Sequence, residues 1–381
     1  MKKSILLLVI LFSFKVLYAQ TTVSGSFIYD GTERTYQVYI PASYDGYAPV
    51  PVIFNLHGLF VNADIQQLVG DFKPIADTAG FLLVLPNGAV ATGIQSWNTG
   101  FSNSQADDVG FLDELIDTLA MHYNIDLSRV YSTGYSNGGF MSYLQACSSE
   151  KFAAIASISG TMTDNYFNAC SPQHEVPVMH LHGTSDNIVF YNGNPLMVTV
   201  DDLIKKWVHV NNCDSIPVMV NVPNINTGDG VTAEHYYYSP EGDGVAKVEF
   251  FKMIGGGHTW PGSTGNIPIP ILFGAVCQDF NACDEIWRFF KQFSNPFYSG
   301  IRSDNSSTCY AWPNPALDYL NIIIKGGNIS SIKIFNMTGQ EVCSLKGKNI
   351  PRISVSGLVP GLFVAQIESS GGITMVKFVK N

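Results

Sequence analysis

The chain has 381 residues, of which 46% are hydrophobic and 14% are charged, and its formal net charge is −10. This core-rich composition is that of a globular protein and excludes a mainly disordered chain. The negative charge argues against nucleic acid and polyanionic substrates as partners. The length is enough for one large domain and a small one.

The first 20 residues are typical of a secretory signal peptide. Lys2 and Lys3 precede an apolar run over residues 5–14, and Ala19 supplies a small residue at which a peptidase can cut. A single membrane anchor is the alternative, but Lys15 interrupts the run, which is shorter than a comfortable span. We therefore expect residues 1–20 to be removed on export. No later segment predicts a stable membrane span.

Residues 21–295 alternate short apolar runs with segments of helical periodicity. The runs predict strands at 36–40, 50–56, 81–85, 130–133, 153–159, 178–182 and 248–254, and the periodic segments predict helices at 109–123, 140–147, 201–211 and 284–293. Continuous apolar strands are typical of parallel strands that are buried on both faces. The alternation predicts an α/β domain, in which a mostly parallel sheet carries helices on both faces. Reactive groups in such sheets lie at the carboxyl ends of strands.

The character of the sequence changes near residue 296. Residues 296–308 include four serines and a glycine and predict a linker. Four short β-type runs follow with no helical period, at 320–324, 332–335, 362–367 and 375–379. Residues 309–381 are therefore predicted to form a small all-β sandwich domain.

The seven cysteines are compatible with disulfides in an exported protein. Because the number is odd, at least one of them has no partner within the chain. The candidate pairs are Cys147 with Cys170 and Cys277 with Cys283. No CxxC or histidine-rich spacing indicates zinc, so neither a structural metal nor a cofactor is predicted.

Ser136 lies in the segment Gly134-Tyr-Ser-Asn-Gly138, which matches the pattern G-x-S-x-G. In hydrolases this pattern forms a sharp turn between a strand and a helix that presents the serine hydroxyl at the sheet edge. The five-residue pattern also arises by chance in glycine-rich loops. Here a predicted strand precedes it and a predicted helix follows it, which favours Ser136 as a nucleophile.

A serine hydroxyl needs a base, and in hydrolases of this type the order along the chain is serine, acid, histidine. His258 follows the strand at 248–254 in a glycine-rich loop, where an imidazole can reach the sheet edge. His209 falls in a predicted helix and His235 in a strand, which favours structural roles. His180 and His182 precede the expected acid and are poorly placed. His258 is therefore the predicted base.

The acid is expected at a strand end between the serine and the base. Asp186 follows the strand at 178–182 in a tight loop, from which it can orient the imidazole and stabilise its charged form. Asp201 and Asp202 are alternatives, but each opens a predicted helix, where capping explains a carboxylate. We favour Asp186.

Two backbone N–H groups are candidates for an oxyanion hole. One belongs to Asn137, the residue after the serine. The other belongs to Leu59, which follows His57-Gly58 at the end of the strand at 50–56. His57 precedes the serine, so it breaks the expected order and is interpreted as shaping the loop.

Taken together, these motifs resemble the polyhydroxybutyrate depolymerase and feruloyl esterase family of α/β-hydrolases. The resemblance covers about residues 25–293 and rests on five segments, at 56–58, 107–111, 134–139, 182–186 and 257–262. It implies carboxylic-ester hydrolysis with Ser136, Asp186 and His258 as the triad. It leaves aliphatic polyesters and feruloylated or acetylated plant polysaccharides open as substrates. Leu59-Phe60 departs from the pattern of the relatives on the oxyanion side of the pocket.

The C-terminal segments resemble a second family. Trp312-Pro-Asn-Pro315, residues 320–322, 334–336 and 339–340, and the final Lys377-Phe-Val-Lys380 look like the sorting domain of the type IX secretion system. The resemblance implies the secretion machinery as a partner and export across an outer membrane to the cell surface or medium. A carbohydrate-binding β-sandwich is the alternative.

Three further side chains are candidates for substrate contact: His57, Trp97 and Trp260. Trp97 lies in a polar loop and Trp260 lies beside His258, so either ring could stack on a sugar or a feruloyl group. Core packing is the alternative for both. Asp107 and Asp108 are adjacent and cannot flank a glycosidic bond, and they are interpreted as the cap of the helix at 109–123.

These residues predict a secreted serine esterase that works through an acyl-enzyme. Two other functions stay open on the sequence. One is a peptidase on the same fold, and the other is a non-catalytic polysaccharide-binding protein. An intact set of serine, acid and base disfavours the second.

Overall fold

The computed structural model describes residues 20–100, 104–242, 244–263, 274–295, 309–312, 315–324, 328–336, 339–348, 350–370 and 372–380. All of the predicted signal peptide except Gln20, and the whole predicted linker at 296–308, lie outside these residues. None of the described helices is both long and apolar enough to span a membrane.

Twelve strands lie in the N-terminal part of the described chain. They are β1 (Thr21–Tyr29), β2 (Thr32–Ile40), β3 (Val50–Leu56), β4 (Leu82–Pro86), β5 (Ala89–Ala91), β6 (Ile94–Ser96), β7 (Ile125–Tyr135), β8 (Ala154–Ile158), β9 (Val178–Gly183), β10 (Val218–Asn221), β11 (Thr232–Tyr238) and β12 (Val248–Ile254). Seven helices connect them, namely α1 (Ala63–Val69), α2 (Lys73–Ala79), α3 (Asp108–His122), α4 (Asn137–Ser148), α5 (Asp164–Ala169), α6 (Val200–Val210) and α7 (Ala282–Phe290).

Ten of these strands form one sheet in the order β1-β2-β4-β3-β7-β8-β9-β12-β11-β10. The six strands from β4 to β12 are parallel, and the two edges are antiparallel. The prediction of a mostly parallel sheet is confirmed. The sequence patterns missed β1 and β10, whose side chains are largely exposed and carry no continuous apolar run.

Helices cover both faces of the sheet, as predicted. On one face, apolar side chains of α3, α4 and α6 pack on the alternate residues of the strands, and Phe111, Tyr143 and Trp207 are fully buried there. On the other face α1, α2 and α7 do the same, with Ala76 and Phe289 fully buried. Because both faces are covered, the central strands are buried on both sides and are mostly apolar.

One disulfide joins Cys147 at the end of α4 to Cys170 after α5. This confirms the first candidate pair. The second pair is wrong, because Cys277 and Cys283 are both free and buried. Cys283 lies in the first turn of α7, where its side chain packs in the core with Ile286 and Phe289.

The C-terminal residues form strands β13 (Cys309–Trp312), β14 (Tyr319–Ile324), β15 (Ile329–Asn336), β16 (Glu341–Lys346), β17 (Arg352–Ser354), β18 (Gly361–Ser369) and β19 (Gly372–Lys380). They make two sheets, in the orders β13-β14-β17 and β16-β15-β18-β19. Described pairings within both sheets are antiparallel. Leu320 and Ile322 from one sheet share a core with Ile332 and Ile367 from the other. The predicted all-β sandwich is confirmed.

Candidate active site

Ser136 lies at the sharp turn between β7 and α4, at the carboxyl edge of the parallel strands. Its backbone has φ of 54° and ψ of −118°, a conformation that costs a non-glycine residue free energy. Its N–H donates to the carbonyl of Ile158 at the end of the neighbouring strand β8, at 2.8 Å. The turn is therefore held in the strained form that exposes a serine hydroxyl at the sheet edge.

Two glycines make this turn possible. A Cβ on Gly134 would lie 2.4 Å from the backbone of Gly138, and a Cβ on Gly138 would lie 2.2 Å from the carbonyl oxygen of Leu56 on strand β3. Both separations are shorter than any ordinary contact, so only glycine fits. This agrees with the reason for which the pattern requires glycine at these two positions.

Asp186 and His258 are brought together from loops that are 72 residues apart in sequence. The Nδ1–H group of His258 donates to Oδ2 of Asp186 at 2.8 Å, and both side chains are buried. Asp186 follows β9 and His258 follows β12, and these two strands are parallel neighbours in the sheet. A hydrogen bond from Nδ1 to a carboxylate fixes the orientation of the ring, and in a hydrolase triad it is the other ring nitrogen that acts as the base.

The second oxygen of Asp186 is held by its own loop. Oδ1 accepts hydrogen bonds from the N–H groups of Ile188 and Val189 at 2.9 Å and 2.8 Å. Burial alone would raise the pKa of Asp186, but hydrogen bonds from His182 and His258 outweigh it and lower the pKa below the ordinary value. Asp186 is therefore a fixed carboxylate across the neutral pH range.

His182 links Asp186 to a chain of buried side chains behind it. Nε2 of His182 lies 2.8 Å from the carbonyl of Val189 and 3.3 Å from Oδ2 of Asp186. A carbonyl can only accept, so Nε2 carries the hydrogen. Nδ1 must then accept from Nε2 of His180 at 3.2 Å, and Nδ1 of His180 must accept from the hydroxyl of Tyr143 at 2.9 Å.

This arrangement keeps the imidazole of His180 neutral. Burial lowers the pKa of His180 well below its ordinary value, and the neighbouring His182 lowers it further. His182 is not placed to act as the base, as the sequence indicated. Its contact with Asp186 was not foreseen, because the sequence does not show which way the side chains on β9 point.

Tyr135 ties the nucleophile turn to the histidine loop. Its hydroxyl donates to the carbonyl of His258 at 2.5 Å, and the two rings lie 5.0 Å apart. Because Tyr135 directly precedes Ser136 in the chain, the loop of His258 is fastened to the same turn that carries the serine. The three residues that the sequence predicts as a triad thus lie at one edge of the sheet.

The two predicted oxyanion donors lie on either side of this turn. Asn137 is the first residue of α4, and its side chain is fixed by Trp97 N–H at 2.7 Å and by a hydrogen bond to Thr99 Oγ1 at 2.7 Å. Leu59 follows Gly58, where an added Cβ would lie 3.6 Å from Cβ of Ser136. Leu59 therefore directly follows a residue that lies next to Ser136.

Three predicted substrate contacts need correction, because His57, Trp97 and Trp260 are all buried. Trp97 donates from Nε1 to the carbonyl of His57 at 2.9 Å, and their rings lie 5.0 Å apart. Trp260 packs against Phe72, with ring centroids 6.2 Å apart. None of the three offers a ring face to a substrate, so the core-packing alternative is the right one.

The side chain of His57 fixes the loop that carries Leu59, the predicted oxyanion donor. Its Nε2 accepts from the N–H of Gly88 at 2.9 Å, and its Nδ1 donates to the carbonyl of Gly58 at 2.7 Å. Burial lowers the pKa of His57 to about 4, so the ring is neutral at neutral pH. This agrees with the interpretation of His57 as a loop-shaping residue.

Phe60 is a candidate substrate contact that sequence reasoning did not identify. Its side chain is 69% exposed, and its backbone has φ of 66°, which is rare for a bulky residue. Its N–H donates to the carbonyl of Gln95 in the hairpin of β5 and β6, at 3.2 Å. The exposed ring, the strained backbone and the position two residues after Gly58 make Phe60 a candidate for substrate contact. The only sequence signal was the unusual Leu59-Phe60 pair.

The two adjacent aspartates have structural roles. Asp107 caps α3, because its Oδ1 accepts from the N–H of Gly110 at 3.0 Å. Asp108 is buried in an ion pair with Arg34 at 2.5 Å. The interpretation as a helix cap is confirmed for Asp107, whereas Asp108 is the first residue of α3 and pairs with Arg34 instead.

One group of possible metal ligands occurs among the described residues, formed by Asp229, Cys277 and Asp279. Asp229 accepts from the N–H groups of Val231 and Gln278, and Asp279 accepts from that of Asn226. Burial raises the pKa of the Cys277 thiol to about 11, which opposes the thiolate that a metal requires. We assign these carboxylates to loop folding.

Two family models match the chain. A model of the esterase family matches residues 29–210, and a model of the secretion system C-terminal sorting domain matches residues 310–381. The first match contains the Ser136 turn and Asp186. The second contains the whole C-terminal β-sandwich except its first described residue.

Curated relatives include two esterases, from Neocallimastix patriciarum and Piromyces equi. A bifunctional acetylxylan esterase/xylanase of Neocallimastix patriciarum is 31% identical over 232 residues, which are 60% of this chain and 31% of the relative. Feruloyl esterase B of Piromyces equi is 27% identical over 272 residues, which are 68% of this chain and 45% of the relative. This chain thus spans less than half the length of either protein.

Among solved structures, an acetyl xylan esterase from Aspergillus awamori superposes with a TM-score of 0.50 at 16% identity. The match covers 71% of this chain and 99% of that one, and it shows a shared fold. The ten-stranded sheet, the strained serine turn and the matched families lead to the same conclusion. The chain has the fold of an α/β-hydrolase, its residues 29–210 match the esterase family, and its residues 310–381 match the secretion system C-terminal sorting domain.

Proposed function

We propose that this protein is a secreted serine esterase that cleaves carboxylic esters through an acyl-enzyme. The observation that carries the proposal is the hydrogen bond from His258 to Asp186. Tyr135 links the loop of His258 to the strained turn of Ser136 through a second hydrogen bond. A serine hydroxyl becomes a nucleophile when a neutral imidazole, itself oriented by a carboxylate, takes its proton.

The reaction has two displacements. Oγ of Ser136 attacks the ester carbonyl carbon while Nε2 of His258 takes the hydroxyl proton, and Asp186 stabilises the imidazolium. The N–H groups of Leu59 and Asn137 stabilise the oxyanion. The proton on His258 then passes to the alcohol as it leaves. Water attacks the acyl-enzyme by the reverse use of the same groups and releases the acid.

We propose feruloyl or acetyl esters of plant polysaccharide as the substrates. The names of the relatives in Neocallimastix patriciarum and Piromyces equi support this class. Phe60 supports it independently, because an exposed ring two residues from Gly58 can pack on an aromatic acyl group. Polyhydroxybutyrate-type polyester is the alternative that the sequence left open.

We also propose that the C-terminal sandwich directs export through the type IX secretion system. The match to a secretion sorting domain over residues 310–381 supports this. It agrees with the expected signal peptide, which would bring the chain to the periplasm first. The protein would then act at the cell surface or outside the cell.

The test is a comparison of Ser136→Ala with the unaltered protein on methyl ferulate, acetylated xylan and polyhydroxybutyrate. We expect turnover of one of the first two, and a loss of at least about 10⁴-fold in the variant, since removal of the nucleophile leaves only binding and the oxyanion donors. Undiminished turnover in the variant would refute the mechanism. Turnover of polyhydroxybutyrate alone would refute the substrate class.

A further inference from the structure

A groove of about 410 Å³ lies between α6 and the faces of β11 and β12, outside the site built around Ser136. We call it the tyrosine groove, and it is lined chiefly by Tyr191, Asp201, Lys205, His209, Tyr236 and Tyr238. Its volume is in the range of small-molecule binding sites.

The strand wall of the tyrosine groove presents flat aromatic surfaces. Tyr236 is half-buried and stacks on Phe250, with ring centroids 5.7 Å apart and planes 24° from parallel. One ring face is thus packed on the core while the residue stays partly exposed. Tyr238 lies two residues further on the same face of β11, a step of about 7 Å. The wall therefore repeats an aromatic ring along the strand.

The helix wall repeats polar groups at a similar spacing. Asp201, Lys205 and His209 follow one another at four-residue intervals on α6, a step of about 6 Å. All three are exposed. Between the walls, Ile204 and Val208 make an apolar floor. A carboxylate, an ammonium and an imidazole thus face a row of aromatic rings across a narrow apolar strip.

The rings are held in place by acids. The hydroxyl of Tyr191 donates to Asp201 at 2.8 Å, and that of Tyr236 donates to Glu234 at 2.6 Å. Burial, and then the hydrogen bond to Glu234, raise the pKa of Tyr236 to about 12, so its phenol stays neutral. The aromatic wall is therefore uncharged and preorganised, which lowers the entropic cost of binding.

The groove is joined to the catalytic acid through two side chains. Tyr191 meets His182 edge to face, with centroids 6.1 Å apart, and His182 reaches Asp186 at 3.3 Å. Lys252, another lining residue, lies opposite His182 in the register of β12 and β9. A chain bound in the groove is thus held on the side of the triad where Asp186 lies.

We propose that the tyrosine groove binds a run of linked sugar rings of the polymer that carries the ester. A sugar ring has an apolar face that stacks on an aromatic ring and a hydroxyl edge that needs hydrogen-bond partners. The two walls supply these at repeats of about 7 Å and 6 Å. The choice of a saccharide depends on the proposed function, whereas the walls themselves do not.

The experiment measures binding without catalysis. Ser136→Ala protein is titrated with xylohexaose in a calorimeter and run through gels that contain soluble arabinoxylan freed of esters by alkali. We expect binding in both assays. Replacing Tyr236 and Tyr238 together by leucine keeps apolar volume but removes the flat faces, and should weaken binding about tenfold, as two aromatic contacts predict.

Tyr47→Leu is the matched control, because Tyr47 is an exposed tyrosine outside the groove. It should leave binding unchanged. If the double variant does not fold, as judged by its thermal midpoint, Lys205→Ala on the exposed helix wall replaces it and should weaken binding several-fold. No binding by Ser136→Ala, or equal binding by the groove variants, overturns the proposal. Turnover by the unaltered protein tests the proposed function separately.

Discussion

Two buried carboxylates in the described structure each lie within 3 Å of a histidine nitrogen, and only one of them lies beside the proposed nucleophile. His258 donates to Asp186 at 2.8 Å, and His235 bonds Glu249 at 2.9 Å. All four side chains are buried. Judged by distance and burial alone, the two pairs are equivalent.

Their surroundings differ. Asp186 lies in a loop at the carboxyl end of β9, and backbone N–H groups of the same loop hold its other oxygen. Glu249 lies within β12 and is also bonded by Arg288. Burial raises the pKa of Glu249, but His235 and Arg288 outweigh it and lower the pKa to about 2. The first pair lies at the strand ends beside the turn of Ser136, whereas in the second pair Arg288 helps to balance the charge of Glu249 inside the sheet. Position at the strand ends, not the pair itself, indicates catalysis.

The largest expected effect separates the two pairs by activity. Asp186→Asn should lower kcat on methyl ferulate or acetylated xylan by about 10⁴-fold, because the amide favours the wrong tautomer of His258. Glu249→Gln is the matched control and should stay within a few-fold of the unaltered protein. Steady-state kinetics on both purified variants gives the answer. A comparable loss of kcat in both variants would contradict the view that only the Asp186 pair serves catalysis.

Another buried histidine, His57, should make the stability of the protein depend on pH. Its pKa falls from 6.5 to about 4 on folding, since burial opposes the charge and Nε2 already accepts from Gly88. Between these two values the unfolded chain binds the extra proton, so stability is complete above pH 6.5 and is lost as the pH falls. This group should account for about 3 kcal/mol by pH 4.

Urea unfolding at pH 7, 5.5 and 4 measures this effect. His57→Gln should show a shallower loss of the free energy of unfolding than the unaltered protein over that range. Parallel curves for the two proteins would show that His57 is not the group responsible. Activity is best followed separately, because His57 also holds the carbonyl of Gly58, next to the proposed oxyanion donor Leu59.

Glu249→Gln should lower the free energy of unfolding by about 2 kcal/mol at pH 7. The substitution removes a buried partner of His235 and Arg288, and we reduce the usual cost of breaking a buried pair because Arg288 is about one-third exposed. Because the pKa of Glu249 is depressed, its contribution is present above about pH 4.5 and is lost toward pH 2. The difference in free energy of unfolding between the unaltered protein and Glu249→Gln should therefore be smaller at pH 3 than at pH 7, as measured by denaturant unfolding. An equal difference at the two pH values would argue against the pairing.

The smallest effect concerns backbone strain beside the nucleophile. Phe60→Gly should raise the free energy of unfolding by up to about 1 kcal/mol, because glycine adopts positive φ without the cost that a side chain brings. It should also raise KM for methyl ferulate several-fold while KM for an acetyl ester changes less. Tyr47→Gly, at an equally exposed tyrosine with ordinary φ, should not stabilise the protein. Stabilisation without any change in KM would remove Phe60 from the binding surface.

Much of the fold and of the candidate site is legible in the sequence. The mainly apolar runs at 50–56 and 178–182 predict buried parallel strands, because strands covered on both faces lack the alternation of apolar and polar residues that a half-exposed strand shows. The glycines at 134 and 138 predict the serine turn, because no other residue fits there. Loops after strand ends then indicated Asp186 and His258.

Other features were settled by tertiary structure alone. The sequence could not separate a buried Trp97 from a stacking one, since both uses need the same side chain. It paired Cys277 with Cys283 by proximity, whereas burial within the core keeps both free. It could not show that Tyr191 and Tyr236 both contact Phe250, because Tyr191 lies outside β11 and β12 and meets them only in the folded chain.

What the sequence determined by itself is thus the chemistry at the strand ends: a serine turn, an acid and a base in the order of a hydrolase. These features depend on local backbone geometry, which requires particular residue types at particular positions and so produces a recognisable sequence pattern. What only the tertiary structure decided is which surfaces remain exposed for a substrate. Phe60 and the tyrosine groove depend on how distant elements pack, and no local pattern records that.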